Sequence, residues 1–186
     1  MKNFERDGIP WEELFDKIDT GRAEGSVLSK SSKHLAYHLT KNDERTEFEI
    51  FDANNPHFHQ KITTEHEINT FSLNLHTKGT EEDESQRHPD MSGKEFVRNS
   101  LALMHQINGY SPRTFIGNWL DVPGYDDNFR QYIQGLQEGM NPVDSAKNTW
   151  NGRTISEHGY TEVTESGIMI FPKLIIVKFS KVEKSK

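Results

Sequence analysis

R-T-E-F-E-I-F (residues 45–51), H-F-H-Q-K-I-T (57–63) and I-N-T-F-S-L-N-L-H (68–76) are the stretches whose reading decides the fold. Each alternates with a period of two, the signature of a half-buried strand. Thr46, Phe48 and Ile50 share one face, as do Phe58, Gln60 and Ile62, and Phe71, Leu73 and Leu75. Turn chemistry separates the runs, D-A-N-N-P at 52–56 and T-E-H-E at 64–67. Three such runs in succession predict an antiparallel meander with one packed and one polar face.

Towards the N-terminus, Pro10 with Trp11, Leu14, Phe15 and Ile18 has helical spacing, and Gly21 lies just past its end. Residues 21–32, rich in Gly and Ser, read as a loop. Ser31 or Ser32 is placed to cap a short helix K-H-L-A-Y-H-L. On the other side of the meander, residues 77–90 hold four consecutive acids, Glu81 to Glu84, and read as a solvated loop.

The remainder is mainly helical in pattern. Phe96, Val97, Ser100, Leu101, Leu103, Met104 and Ile107 form a broad apolar stripe ended by Asn108-Gly109. A short helical turn is expected over 114–120, stopped by Pro123-Gly124. Asp126 or Asp127 then caps a helix carrying Phe129, Tyr132, Ile133, Leu136 and Met140, with Gly139 closing it. Asn141-Pro142-x-Asp144 starts a helix through Val143, Ala146 and Trp150, broken by Asn151-Gly152. Thr154-x-x-Glu157 reads as the capping box of a last turn ending at Gly159. The chain then runs through Y-T-E-V-T-E (160–165), I-M-I-F (168–171) and K-L-I-I-V-K-F (173–179). The last run is apolar on both faces, which predicts a central strand. The expected fold is α+β, a single domain over 1–186 with an antiparallel or mixed sheet and helices packed on one face. Its parts are a helix and meander at 1–76, an acidic loop at 77–92, and helices with C-terminal strands at 93–186.

Composition narrows the function. Lys and Arg number 22 against 29 Asp and Glu, a net charge of -7, which disfavours DNA or membrane binding by general charge. With no cysteine, disulfides, thiol nucleophiles, thiolate zinc sites and iron–sulfur clusters are excluded. No apolar run approaches the ~20 residues of a membrane span, and the first residues lack a signal-peptide core. The expectation is a chain made in the cytosol, with export lacking a cleaved signal as the alternative. Neither G-x-S-x-G, S-x-x-K nor a phosphate-binding Gly loop occurs.

Histidine is abundant, nine in all, five of them between His34 and His66. His34 and His38 are four apart, one face of a helix, and are the candidate metal pair, completed by Glu47, Glu49 or Asp52. No cofactor is otherwise expected; a divalent metal is the candidate. His57 and His59 flank Phe58 on the opposite strand face. With His158 they are the acid/base candidates, and Lys33, Arg45 and Lys61 are available for a phosphate.

A second constellation comprises Asn118, Trp119, Asp121, Asn128, Thr149, Trp150 and Arg153. Two Trp rings can anchor short helices while Asn and Thr satisfy their N–H groups. The functional reading is an aromatic pocket wall with Asn118, Trp119, Asn128, Thr149 and Arg153 binding substrate.

The pattern N-W…D-N-F…G-M-N-P-V-D-S-A-K-N-T-W-N-G-R-T-I-S-E-H-G-Y-T-E-V, within residues 113–163, resembles a run in the variable C-terminal domains of bacterial polymorphic and secreted toxins. In those a W…D-N-aromatic segment precedes a short helix, a Gly-Lys-like turn and a G-F-x-x-V strand; here the turn carries Asn151 and Arg153. The resemblance implies a compact effector domain. Two functions are therefore expected: a toxin or effector domain acting on RNA or a nucleotide by His acid/base chemistry, or a non-enzymatic protein-binding factor such as an immunity protein, inhibitor or anti-defence factor. A metal-dependent hydrolase is the third.

Overall fold

A computed structural model describes residues 11–29, 33–76, 91, 93–121 and 127–182. The acidic loop at 77–90, the caps Ser31 and Ser32, Pro10, Asp126, Pro123-Gly124 and the end of the basic tail lie outside the described residues. The chain is α+β, with a mixed sheet of nine strands. In chain order these are β1 (Glu24–Leu28), β2 (His34–Lys41), β3 (Arg45–Asp52), β4 (Asn55–Glu65), β5 (Thr70–His76), β6 (Thr114–Leu120), β7 (Tyr160–Glu162), β8 (Ile168–Phe171) and β9 (Leu174–Lys181). The hydrogen-bonded order is β1-β2-β3-β4-β5-β6-β9-β7, with β8 also paired to β9. The helices are α1 (Trp11–Leu14), α2 (Gly93–Asn108), α3 (Asp127–Gln137), α4 (Pro142–Lys147) and α5 (Trp150–Ser156). Two compact units divide the chain, one of residues 1–63 and 74–110, the other of residues 64–73 and 111–186. The division is not at the acidic loop.

The three period-two runs form β3, β4 and β5; β3 and most of β4 lie in the first unit, while the end of β4 and the first four residues of β5 belong to the second. Thr46, Phe48 and Ile50 are fully buried, as are Gln60 and Ile62. Phe48 is the hub. Its ring centroid lies 5.6 Å from Phe15, 6.2 Å from Phe96 on α2 and 6.3 Å from Tyr37 on β2. Helix α1 is only one turn and passes into a 3-10 turn at Phe15–Lys17, which delivers Leu14 and Phe15 to this cluster. The C-terminal end of α2 is tied to the sheet by Lys41 Nζ donating to the Ile107 carbonyl at 2.7 Å and by Thr46 Oγ1 donating to Asn108 Oδ1 at 2.8 Å. Gly109, at φ 77, ends the helix as expected.

Two sequence readings are corrected here. The Gly/Ser-rich segment contains β1, antiparallel to β2 with Gly25 opposite Tyr37. A Cβ on Gly25 would lie 2.4 Å from the Tyr37 hydroxyl oxygen, so the ring lies across the glycine and needs its bare backbone. The segment K-H-L-A-Y-H-L is strand β2, not a helix; Leu35, Tyr37 and Leu39 alternate inward. Pairing with β1 over 34–38 and with β3 over 35–41 decides the matter. Local periodicity alone does not separate the two for so short a run.

The second unit is built on β9, antiparallel to β6 along one edge and to β7 and β8 along the other. The expected helical turn at 114–120 is the strand β6, which runs parallel to β5. Phe115, Gly117 and Trp119 point inward against Phe179, Val177 and Ile175. A Cβ on Gly117 would come 2.7 Å from Trp119 Nε1, so the indole rests over that glycine. Tyr160 joins this core, its ring 5.1 Å from Phe71 and its hydroxyl donating to the Pro112 carbonyl at 2.7 Å. Helix α3 begins at Asp127, which lies within the helix and is not its cap, and Gly139 at φ 90 follows its end as expected. The helix begun at Pro142 stops at Lys147, and a new one starts at Trp150. Asn151-Gly152 therefore lies inside α5 rather than breaking a helix. A Cβ on Gly152 would meet the Ala146 carbonyl oxygen at 2.4 Å, which accounts for glycine there. Thr154 is likewise a buried residue within α5, not a cap.

Two outcomes follow. Phe48→Ala should cost about 3–5 kcal/mol, read as a lowered urea midpoint. Burial raises the Tyr160 hydroxyl above its ordinary value of 10.0, so the folded state keeps a proton that the unfolded chain releases. That contribution is complete below pH 10 and is lost as pH rises through the folded value. Burial lowers Lys181 below 10.5, which acts in the opposite sense, stability rising with pH up to that value. Alkaline unfolding should therefore be less steep in Tyr160→Phe than in the wild type above about pH 10.5, measured by chemical denaturation across pH 9–12.

Candidate functional site

Four side-chain hydrogen bonds, two of them from α3, converge on the start of α5. Thr149 has extended backbone angles, φ -68 and ψ 165, and caps the helix with its side chain. Its hydroxyl oxygen accepts from the Gly152 N–H at 3.0 Å and donates to the Ala146 carbonyl at 2.9 Å. Two residues three apart on α3 supply the other acceptors. Gln131 Oε1 accepts from the Trp150 N–H at 2.6 Å, and Asn128 Oδ1 accepts from the Asn151 N–H at 2.8 Å. A helix start leaves its first N–H groups without intrahelical partners; here the first three of α5 each have a side-chain oxygen. Arg153 reaches back from the next turn and donates to the Asn148 carbonyl. Asn141 caps α4, accepting from the Asp144 N–H at 2.9 Å. The two helices and α3 are locked further by Ser145 Oγ donating to the Tyr132 carbonyl at 2.6 Å. A Cβ on Gly135 would collide with that hydroxyl at 2.4 Å.

Asn128, Thr149 and Arg153 are thus brought together at the α3–α5 corner, each as a partner of backbone groups. Trp119 is buried at 1% exposure, its ring 6.0 Å from Tyr132 and 6.3 Å from Phe179. It is a core ring, not a pocket wall. Among the described residues its Nε1 has no hydrogen-bond partner, nor do Tyr132 Oη and Thr154 Oγ1, all buried; burial also raises the Tyr132 hydroxyl above its ordinary value. Asn118 points to the opposite face of β6 and is exposed.

The histidines separate. His34 and His38 share the exposed face of β2, four apart on a strand instead of on a helix. His38 stands opposite Glu24 on one side and Glu49 on the other, with its ring 5.2 Å from Phe51. His57 and His59 share the outward face of β4, as the period required, and His59 Nδ1 lies 3.3 Å from the Pro56 carbonyl. Beside them Lys61 pairs with Glu47 at 3.2 Å. His158 lies in the turn after α5, its N–H donating to the Ile155 carbonyl, and belongs to the other unit. Among the described residues, no three His, Asp or Glu side chains are grouped to hold a metal ion.

What the sequence reading missed is an apolar face in the second unit. Two rungs cross β6, β9 and β8: Asn118–Ile176–Met169 and Leu120–Leu174–Phe171. Their outward side chains include Leu120 at 48%, Met169 at 38% and Phe171 at 49% exposure. Ile116 and Lys178 continue the same face. The available signal was the run I-M-I-F beside K-L-I-I-V-K-F, too apolar for a sheet with only one covered face.

Thr149→Ala and Asn128→Ala should each lower stability by about 0.5–2 kcal/mol. They adjoin one helix end, so the double variant should depart from additivity, measured by urea denaturation. Comparison with protein-family models finds no match, and neither the curated proteins nor the solved structures give one.

Proposed function

We propose that this chain is a non-enzymatic interaction protein that binds a protein partner through the outward face of β6, β9 and β8. The observation that carries the reading is the continuity of Leu120, Leu174 and Phe171 along one rung with Met169 and Ile176 on the next. Contiguous exposed apolar surface with a polar rim, here Asn118 and Lys178, favours a partner surface. The polar residues of the α3–α5 corner support the same reading, because their oxygens are engaged by backbone N–H groups. The test is capture with wild-type and Leu120→Glu baits, followed by reconstitution of the complex from purified components. A partner lost with Leu120→Glu, whose binding protects the amides of 118–120 and 174–177 from exchange, is the expected result. A reconstituted complex that leaves those amides unprotected, or an equal yield from both baits, rejects the assignment.

A second reading is favoured by the outward face of the first unit. There His34 and His38 on β2 and His57 and His59 on β4 share a polar surface with Lys61. Imidazoles beside a cation suit RNA or nucleotide chemistry in an effector domain. Growth arrest on cytosolic expression, relieved by His57→Ala/His59→Ala at equal soluble yield, is its expected outcome. Unimpaired growth at high yield of folded wild type counts against it.

A further inference from the structure

β8 is a short edge strand, I-M-I-F, that pairs with β9 on one side only among the described strands. Its other edge therefore offers a row of backbone N–H and C=O groups, which templates another strand. Natural edges are guarded by charges, an internal proline or a bulge. None interrupts Ile168–Phe171, and Met169, Ile170 and Phe171 are 38%, 57% and 49% exposed on the two faces. The charged residues stand instead at the two ends. Glu165 precedes the strand in a 3-10 turn and Lys173 follows it in the turn to β9, both exposed and each four residues from Met169.

That spacing is self-complementary. We infer that β8 pairs antiparallel with β8 of a second copy of this chain, with the two-fold axis at Met169. In that register Ile168 faces the second copy's Ile170, Met169 faces the second copy's Met169, and the Glu165 turn of each copy lies beside the other's Lys173 turn. Apolar side chains meet at the centre and opposite charges meet twice at the rim. This is the self-complementarity an isologous interface requires. A parallel arrangement would set like charges together and is disfavoured. Because the axis runs through the sheet, the outward faces of β6, β9 and β8 in the two copies become continuous. The pairing goes beyond the binding reading and stands without it, since it uses the edge of β8.

The absence of cysteine makes a clean test. Directly opposed residues in an antiparallel pair have Cα atoms about 4.5–5.5 Å apart, within disulfide range. Met169→Cys should form a covalent dimer under mild oxidation, whereas Ile68→Cys, at a site 62% exposed in the same unit, should not. In sedimentation equilibrium the wild type should dimerise. Glu165→Lys removes both pairs and should weaken the dimer up to about thirtyfold, each surface pair being worth at most about 1 kcal/mol, and Glu165→Lys/Lys173→Glu should restore it. A wild type that stays monomeric, or Met169→Cys that cross-links no faster than Ile68→Cys, overturns the inference. Leu120→Glu separates the two claims, because it should lose the protein partner and keep the dimer. A dimer that survives with no partner found leaves this inference supported and the binding reading rejected.

Discussion

The second unit depends on the seating of β9 between β6 on one edge and β7 and β8 on the other. That position buries Ile175, Val177 and Phe179 against Trp119, Gly117 and Phe115, and the sheet face they form is what α3 covers through Tyr132. Burying such side chains contributes about 1.5–3 kcal/mol each. The same alternation sends Leu174 and Ile176 outward, where they join Leu120, Phe171 and Met169. One strand thus contributes both to the core and to an exposed apolar surface. A strand apolar on both faces normally signals cover on both; here the described residues of the unit leave part of one face exposed, and the proposed partner surface rests on that.

The polar residues that look most like chemistry obey a different constraint. A helix of seven residues, α5, has as many orphan backbone groups as a long one, so its ends dominate its energetics. Gln131, Asn128 and Thr149 satisfy its first three N–H groups, and Arg153 donates to the carbonyl of Asn148. Asn, Gln and Thr beside aromatic residues suit a ligand pocket and a helix corner equally well, because both need short polar side chains aimed from a rigid base. Only the partners tell them apart. Trp119 follows the same lesson, since a Trp among polar neighbours reads as a stacking surface until its ring is found between Tyr132 and Phe179.

Glycine and aromatic rings explain the misread strands. Gly25 and Gly117 both look like breaks in a pattern, yet each lies under a ring, Tyr37 in one case and Trp119 in the other. A strand glycine marks a place where something large approaches the backbone, and the approaching ring came from the opposite strand or from two residues along. The first is outside any local window, and the second depends on the strand geometry that puts residues two apart on one face. Gly152 fits the same rule on a helix, where the approaching group is the Ala146 carbonyl.

The α+β class, the strands β3 to β5, the helix α2 with its stop at Gly109, and the Asn141-Pro142 start of α4 were legible because each rests on neighbours in sequence: alternation, a 3.6-residue stripe, a left-handed glycine, a cap. The outward placing of His57 and His59 followed from the period alone. Strands β1, β2 and β6 were not legible, since five to eight residues of mixed pattern become strand, helix or loop according to what they pair with. The roles of Asn128, Thr149 and Trp119 lay beyond the sequence for a related reason. A side chain's type fixes which hydrogen bonds and contacts it can make, whereas the tertiary structure alone decides which of them it spends on its own backbone and core and which remain on the surface for another molecule.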